Sequence, residues 1–154
     1  MTLTDLVAPN AIIPALKVNN KKQAIQELAA RAAELTGQNE RAILEILLQR
    51  EKLGSTAVGN GIAIPHGKSP KLGRLFGLFA RLERPIDFEA LDSQPVDLIF
   101  LLLAPEAAGA DHLKALARVA RLLRDPEIAR KLRESRDADA LYAVLAMPAT
   151  SSAA

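Results

Sequence analysis

Two adjacent stretches near the N-terminus carry apolar residues at helical spacing. From Lys21 to Leu35 these are Ala24, Ile25, Leu28, Ala32 and Leu35; from about Asn39 to Leu53 they are Ile43, Ile46, Leu47 and Leu53. A period near 3.6 predicts an amphipathic helix in each. Asn19 or Asn20 can cap the first, Gly37 ends it, and Gly54 stops the second. The short break between them makes a helical hairpin. Upstream, Ile12-Ile13 lies between Pro9 and Pro14, which predicts a short strand or extended edge within Asn10 to Val18.

The pattern changes at Ser55. The stretch from Ser55 to Gly67 holds three glycines and several β-branched residues, a poor helix composition. Thr56-Ala57-Val58 and Ile62-Ala63-Ile64 predict two very short strands around Gly59-Asn60-Gly61, where Asn-Gly signals a tight turn. Pro65-His66-Gly67 is expected to break the second of them. Arg74 to Leu82, rich in Leu and Phe, predicts a strand. Val96 to Leu103 is continuously apolar, as in a strand covered on both faces. Helical patterns follow, from Glu106 or Asp111 to Arg124, from Pro126 to Ser135 and from Ala138 to Met147; Pro126 suits a helix start. The expected fold class is α/β: a single domain over residues 1–147, a mixed β-sheet flanked by helices. Residues 148–154, small and polar, are expected to form a flexible C-terminal tail.

Composition narrows the function classes. With 154 residues the chain can bury one good core. Aromatics are only 3%, so the core is aliphatic and stacking platforms for single-stranded nucleic acid are nearly absent. The lack of cysteine excludes disulfides, thiolate metal sites and cysteine catalysis. The start, Met-Thr-Leu-Thr-Asp, does not read as a signal peptide. The longest apolar run, Leu98 to Pro105, is too short to span a bilayer. A soluble cytoplasmic protein without membrane insertion is the expectation. The net charge of +2 is uninformative, but Lys114 to Arg136 holds eight basic residues against three acidic ones. Such a stretch is commonly a solvated helix face, and no nucleic acid partner is expected.

Only two histidines are present. His66 lies between Pro65, which fixes a backbone dihedral, and Gly67, which removes bulk. That context fits a stiffly presented imidazole and equally a loop histidine without chemistry. His112 follows Gly109-Ala110-Asp111 at a helix start, where free N–H groups and the dipole favour a phosphate; an ordinary first-turn surface histidine fits as well. The glycines flanking Asn60 can bring backbone amides to an anion, though no phosphate-loop Lys-Ser/Thr follows. Arg50 by itself is a favourable charge at a helix C-terminus. Two histidines without a carboxylate pair make a weak metal site, and no Gly-x-Ser-x-Gly elbow is present.

The run from Glu51 to Gly67 closely resembles the active-site signature of the fructose/mannitol-type IIA proteins of the bacterial sugar phosphotransferase system. Glu51, Val58, Gly59, Ile62, Ala63, Ile64, Pro65, His66 and Gly67 meet its fixed positions. The likeness extends from about Leu3 to Ala146. Arg50-Glu51-Lys52-Leu53-Gly54-Ser55-Thr56, Lys68 after Pro-His-Gly, Gln94-Pro95-Val96-Asp97-Leu98 and His112-Leu113 resemble the nitrogen-regulatory branch.

The resemblance implies a mannitol-type IIA fold and a phosphoryl carrier, or phosphotransferase component, with a phosphohistidine intermediate. His66 would accept the phosphoryl group from a small HPr-like phosphohistidine carrier, with the ring nitrogen unassigned. His112 and Arg50 would hold the phosphate, with Thr56, Gly59, Asn60, Gly61 and Lys68 around it. No metal and no cofactor is called for. The phosphorylation state would regulate partners such as sensor kinases or potassium-transport regulators. The alternative is a sugar-specific IIA component that passes the phosphate to a IIB domain for fructose- or mannitol-type uptake. A shallow apolar surface is expected around His66, with Leu72, Phe76 and Phe79 as candidates and core packing as the competing fate of the phenylalanines.

Overall fold

The computed structural model describes residues 3–148; the expected tail beyond Pro148 lies outside them. Strand β1 (Val7–Leu16) is followed by helices α1 (Lys21–Thr36) and α2 (Glu40–Lys52). Then come β2 (Ala57–Gly59), β3 (Ile62–Ala63), β4 (His66–Ser69), β5 (Phe76–Ile86) and β6 (Val96–Pro105). A single 3-10 turn at Glu106–Ala108 precedes α3 (Ala110–Leu123), α4 (Pro126–Glu134) and α5 (Ala138–Leu145).

The helical hairpin forms where its local signals lie. The Asn20 side chain accepts from the Gln23 amide at 2.8 Å, and Gly37 ends α1 with φ of 75°. Asn39 caps α2 in the same way, accepting from Ala42 at 2.9 Å. Gly109, at φ 55°, separates the 3-10 turn from α3, which therefore begins just before Asp111.

The strands pair in the order β1-β5-β6-β3-β2, with β4 also on β6. β1 runs parallel to β5, β5 antiparallel to β6, β6 parallel to β3 and β4, and β2 antiparallel to β3. The sheet is thus mixed, as expected. β1 begins earlier than its local pattern predicts, because pairing with β5 extends it across Pro9. A strand at the sheet edge tolerates prolines, since their missing N–H groups face no partner. β6 is buried along nearly its whole length and anchors the aliphatic core.

The expected break at Pro65 is only partial. Ile62 and Ala63 pair with Leu98 and Ile99, and His66 and Gly67 pair with Leu102 and Leu103, so the register on β6 is unchanged across the gap. The Leu102 amide donates to the Pro65 carbonyl at 2.9 Å. Pro65 has no N–H to give, and Ile64 turns its own N–H to the Thr56 carbonyl at 3.0 Å. His66 therefore starts a strand and does not lie in a loop.

Candidate functional site

Strand alternation separates His66 and Gly67 to opposite faces of β4. On the Gly67 face lies α2. A Cβ on Gly67 would overlap the Ile46 Cγ2 methyl, so the glycine sets how closely α2 approaches the sheet. Arg50 is one turn beyond Ile46 on that helix. From there its Nε reaches His66 Nε2 at 3.3 Å, while Nη1 donates to the Gly54 carbonyl at 2.9 Å. The guanidinium is thereby tied to the loop that ends α2.

The His66 ring is oriented from its other nitrogen. Nδ1 lies 2.8 Å from the Ile64 carbonyl. A carbonyl only accepts, so this contact places the proton on Nδ1. The Nε2 lone pair is then left facing Arg50. The interruption before β4 serves this contact, because the Ile64 carbonyl is turned to the ring.

His112 approaches from the first turn of α3. Its ring centroid is 5.7 Å from that of His66, with the planes tilted by 49°. The residue is 8% exposed, and its Nδ1 is buried without a hydrogen-bond partner among the described residues. An enclosed N–H lacking an acceptor is costly. The favoured tautomer leaves Nδ1 bare and puts the proton on Nε2, as a donor.

Beside His66 and Arg50 lies a cavity of about 320 Å³, with His112 outside its lining. Arg50, Thr56 and His66 line it together with Ala57, Val58 and Leu116. The apolar wall comes from α3, and Leu113, beside His112, is 67% exposed. The aromatic and Leu72 candidates lie elsewhere. Phe79 is fully buried in the core, and Leu72 and Phe76 line a different cavity, beside Leu6.

The remaining candidates are distributed unevenly. Thr56 is in the lining, but its amide and hydroxyl both donate to the Glu51 carboxylate. Gly59, Asn60 and Gly61 form the expected tight turn, with Asn60 at φ 57°, yet they are not in the lining. The Asn60 amide donates to Asp92 Oδ2 at 3.1 Å, and its carbonyl accepts from Arg133 at 2.6 Å. That amide is directed to a side-chain carboxylate, which the chain itself supplies. Lys68 is exposed on β4, on the same face as His66, and is also outside the lining. Its charge is felt at His112.

Three of the eight basic residues of the Lys114 to Arg136 stretch form ion pairs among the described residues. Arg118 meets Asp5, Arg130 meets Glu127 and Glu134, and Arg133 holds Asp97. Among the described residues no cluster of three potential ligands suits a metal ion, and no helix is long and apolar enough to cross a membrane. Local grammar assigned no role to Glu51, the Ile64 carbonyl or Leu116; the apolar spacing of Leu116 and Ala120 on α3 was the available signal for the last.

Both histidines are held below the ordinary value of 6.5. For His66 burial is the main cause; the Ile64 contact opposes it, Arg50 adds to it, and Glu51 opposes it. For His112 burial leads, followed by His66 and Lys68. The folded chain therefore binds these protons less readily than the unfolded chain. The stability contributed by the neutral rings is complete above the unfolded value and is lost as pH falls from about 6.5 through the folded midpoints. A ring-proton NMR titration should give midpoints below 6.5 for both histidines. A His66 midpoint at or above that value would contradict the burial argument.

Comparison with known proteins places the chain in a family. Residues 5–147 match the family model described as phosphoenolpyruvate-dependent sugar phosphotransferase system, EIIA 2. A nitrogen regulatory protein of Bradyrhizobium diazoefficiens is 76% identical over 153 residues, covering 99% of this chain and 100% of that one. A nitrogen regulatory protein of Escherichia coli is 43% identical over 127 residues, covering 82% and 78%. The crystal structure of the nitrogen regulatory protein IIA-Ntr from Neisseria meningitidis superimposes with a TM-score of 0.88 at 33% identity, covering 93% of this chain and 98% of that one. The mannitol IIA of Escherichia coli shares the fold, with a TM-score of 0.77 at 21% identity over 90% and 97%. With a family model matched over almost all its length, and a sheet and helices arranged as in the solved IIA structures, this chain belongs to the EIIA 2 family of the phosphoenolpyruvate-dependent sugar phosphotransferase system.

Proposed function

We propose that the protein is a regulatory phosphoryl carrier that accepts a phosphoryl group on Nε2 of His66. The observation that carries this reading is the ring's two-sided fixation: Nδ1 donates to the Ile64 carbonyl, and Nε2 accepts a long contact from the Arg50 Nε–H, which passes to the phosphoryl oxygens as the lone pair attacks. In the transfer, the Nε2 lone pair forms a bond to phosphorus while the donor's own N–P bond breaks and its electrons return to the donor imidazole. Positive charge that builds on the His66 ring is offset through the Nδ1–H bond to Ile64. Arg50, and His112 through Nε2–H, donate to the equatorial oxygens. A depressed histidine pKa keeps the nucleophile neutral near pH 7.

The donor is an HPr-like phosphohistidine protein that docks over the apolar wall of α3. The phosphate adds close to two negative charges at one accessible point. Proteins that dock there then distinguish the two forms, and sensor kinases or potassium-transport regulators are the expected targets. The 76% identity to a nitrogen regulatory protein favours regulation. Transfer to a IIB domain is the second reading, favoured by 40% identity over 105 residues to a fructose-specific EIIA component of Haloferax volcanii.

Incubation with phosphoenolpyruvate and the upstream carriers should add one acid-labile phosphoryl group, read by mass spectrometry. Titration calorimetry of both forms against a candidate target should give different affinities; equal affinities would remove the switch. Passage of the label to a fructose- or mannitol-type IIB domain would establish the second reading instead. Arg50→Lys should retain the charge but lose the fork that spans the His66 ring and the Gly54 carbonyl. Its phosphorylation rate should fall by about 10²-fold, the scale of losing one preorganised donor, in a quenched-flow assay. An unchanged rate would take Arg50 out of the mechanism.

A further inference from the structure

One enclosed cation lies outside the cavity. Lys21 opens α1, whose first turn contains no acidic residue. A cation at that end opposes the helix dipole, and burial further disfavours its charge. Yet the side chain is only 15% exposed, and it is compensated on several sides. Nζ is 2.9 Å from Glu51 Oε1 and 3.0 Å from Glu89 Oε1, and it sits 4.9 Å from the centroid of the Phe88 ring. The ammonium is thereby held charged.

The contacts continue inward from Glu51. Its carboxylate is 6% exposed, and both oxygens are engaged. Oε1 also accepts from the Thr56 amide at 3.1 Å, and Oε2 accepts from the Thr56 hydroxyl. The Thr56 carbonyl accepts from the Ile64 amide at 3.0 Å. The carbonyl of the same residue, in the next peptide unit, accepts from His66 Nδ1 at 2.8 Å. Glu51 also follows Arg50 directly in the chain, so its clamp fixes the end of α2 from which Arg50 reaches His66.

We propose that Lys21 is a positioning residue for phosphoryl acceptance: it holds the Glu51 carboxylate against Thr56 and so fixes the Ile64 carbonyl that sets the tautomer of His66. This rests on the reading of His66 as the acceptor. Glu89 has a different standing. Its side chain is 74% exposed, so its ion pair is screened and contributes little. A purely structural ion pair would lower stability when broken and leave the His66 ring unchanged.

The test compares Lys21→Met, Lys21→Arg and Glu89→Gln with the parent protein. Long-range proton–nitrogen NMR spectra of the unphosphorylated chains report the His66 tautomer. Phosphorylation by the upstream carriers reports the rate. Lys21→Met should give a mixed His66 tautomer and a rate lower by about tenfold or more. Lys21→Arg should restore both, and Glu89→Gln should match the parent. If Lys21→Met does not fold, Lys21→Met/Glu51→Gln removes the pair without leaving a buried charge. It should still show the altered tautomer. A folded Lys21→Met or double variant with the parent's tautomer and rate would overturn the proposal, as would Lys21→Arg behaving like Lys21→Met. A parent protein that takes no phosphate on His66 would instead refute the acceptor reading, while the NMR comparison would still show whether Lys21 sets the ring.

Discussion

His66→Ala should abolish acceptance of the labile phosphoryl group. No other side chain in the cavity can replace Nε2. His112 is the only other histidine in the sequence, and its buried, unpartnered Nδ1 favours protonation of the nitrogen that would have to attack. Removing a nucleophile differs in kind from removing a donor. His112→Ala leaves the His66 lone pair in place and should slow acceptance by about 10²- to 10³-fold, as loss of one oxyanion donor does. The two variants therefore separate in an end-point mass measurement: His112→Ala reaches the phosphorylated state slowly, and His66→Ala never does. Both should keep the parent's circular dichroism spectrum, because the core lies chiefly in β6 and the aliphatic faces around it. Labile phosphate on His66→Ala would show that the acceptor has been misassigned.

Gly67→Ala should impair both stability and acceptance, although Gly67 makes no contact with the phosphate in the proposed mechanism. The added methyl would overlap Ile46 Cγ2. That carbon is a branch on a helical side chain with little rotamer freedom, so α2 itself has to move. Overpacking of this kind costs about 1–3 kcal/mol. Displacement of α2 also carries Arg50 away from His66, across a contact that is already 3.3 Å long. A misplacement of about 1 Å can cost about 10²-fold in rate. Ile46→Ala in the same chain should recover part of both losses, since it vacates the space. A double-mutant cycle in urea denaturation should show coupling of about 0.5–3 kcal/mol. If Gly67→Ala proves neutral in both assays, helix approach is not what positions Arg50.

Parts of this protein are legible locally. The caps and ends of α1 and α2 come from Asn20, Gly37 and Asn39, whose effects act within one turn. The continuous apolar run of β6 announces a strand covered on both faces. The signature from Glu51 to Gly67 marks His66, and the Asn-Gly turn forms where it is read. These features depend on neighbours a few residues apart, or on a pattern that one chain displays by itself.

What lay beyond the sequence depends on contacts between distant segments. β1 is longer than its own residues predict because β5 supplies its partners. His66 begins a strand despite Pro65 because β6 keeps the same register across the gap. The turn amide at Asn60 faces Asp92 because that carboxylate arrives from 32 residues away and satisfies it first. The choice of nitrogen on His66 joins a near neighbour to a separate segment: Ile64 is two residues away, whereas Arg50 reaches the ring from α2, sixteen residues upstream. Sequence marks the ring as reactive, but a tautomer is fixed by what each nitrogen touches. Only the folded chain brings the Ile64 carbonyl to Nδ1 and Arg50 to Nε2.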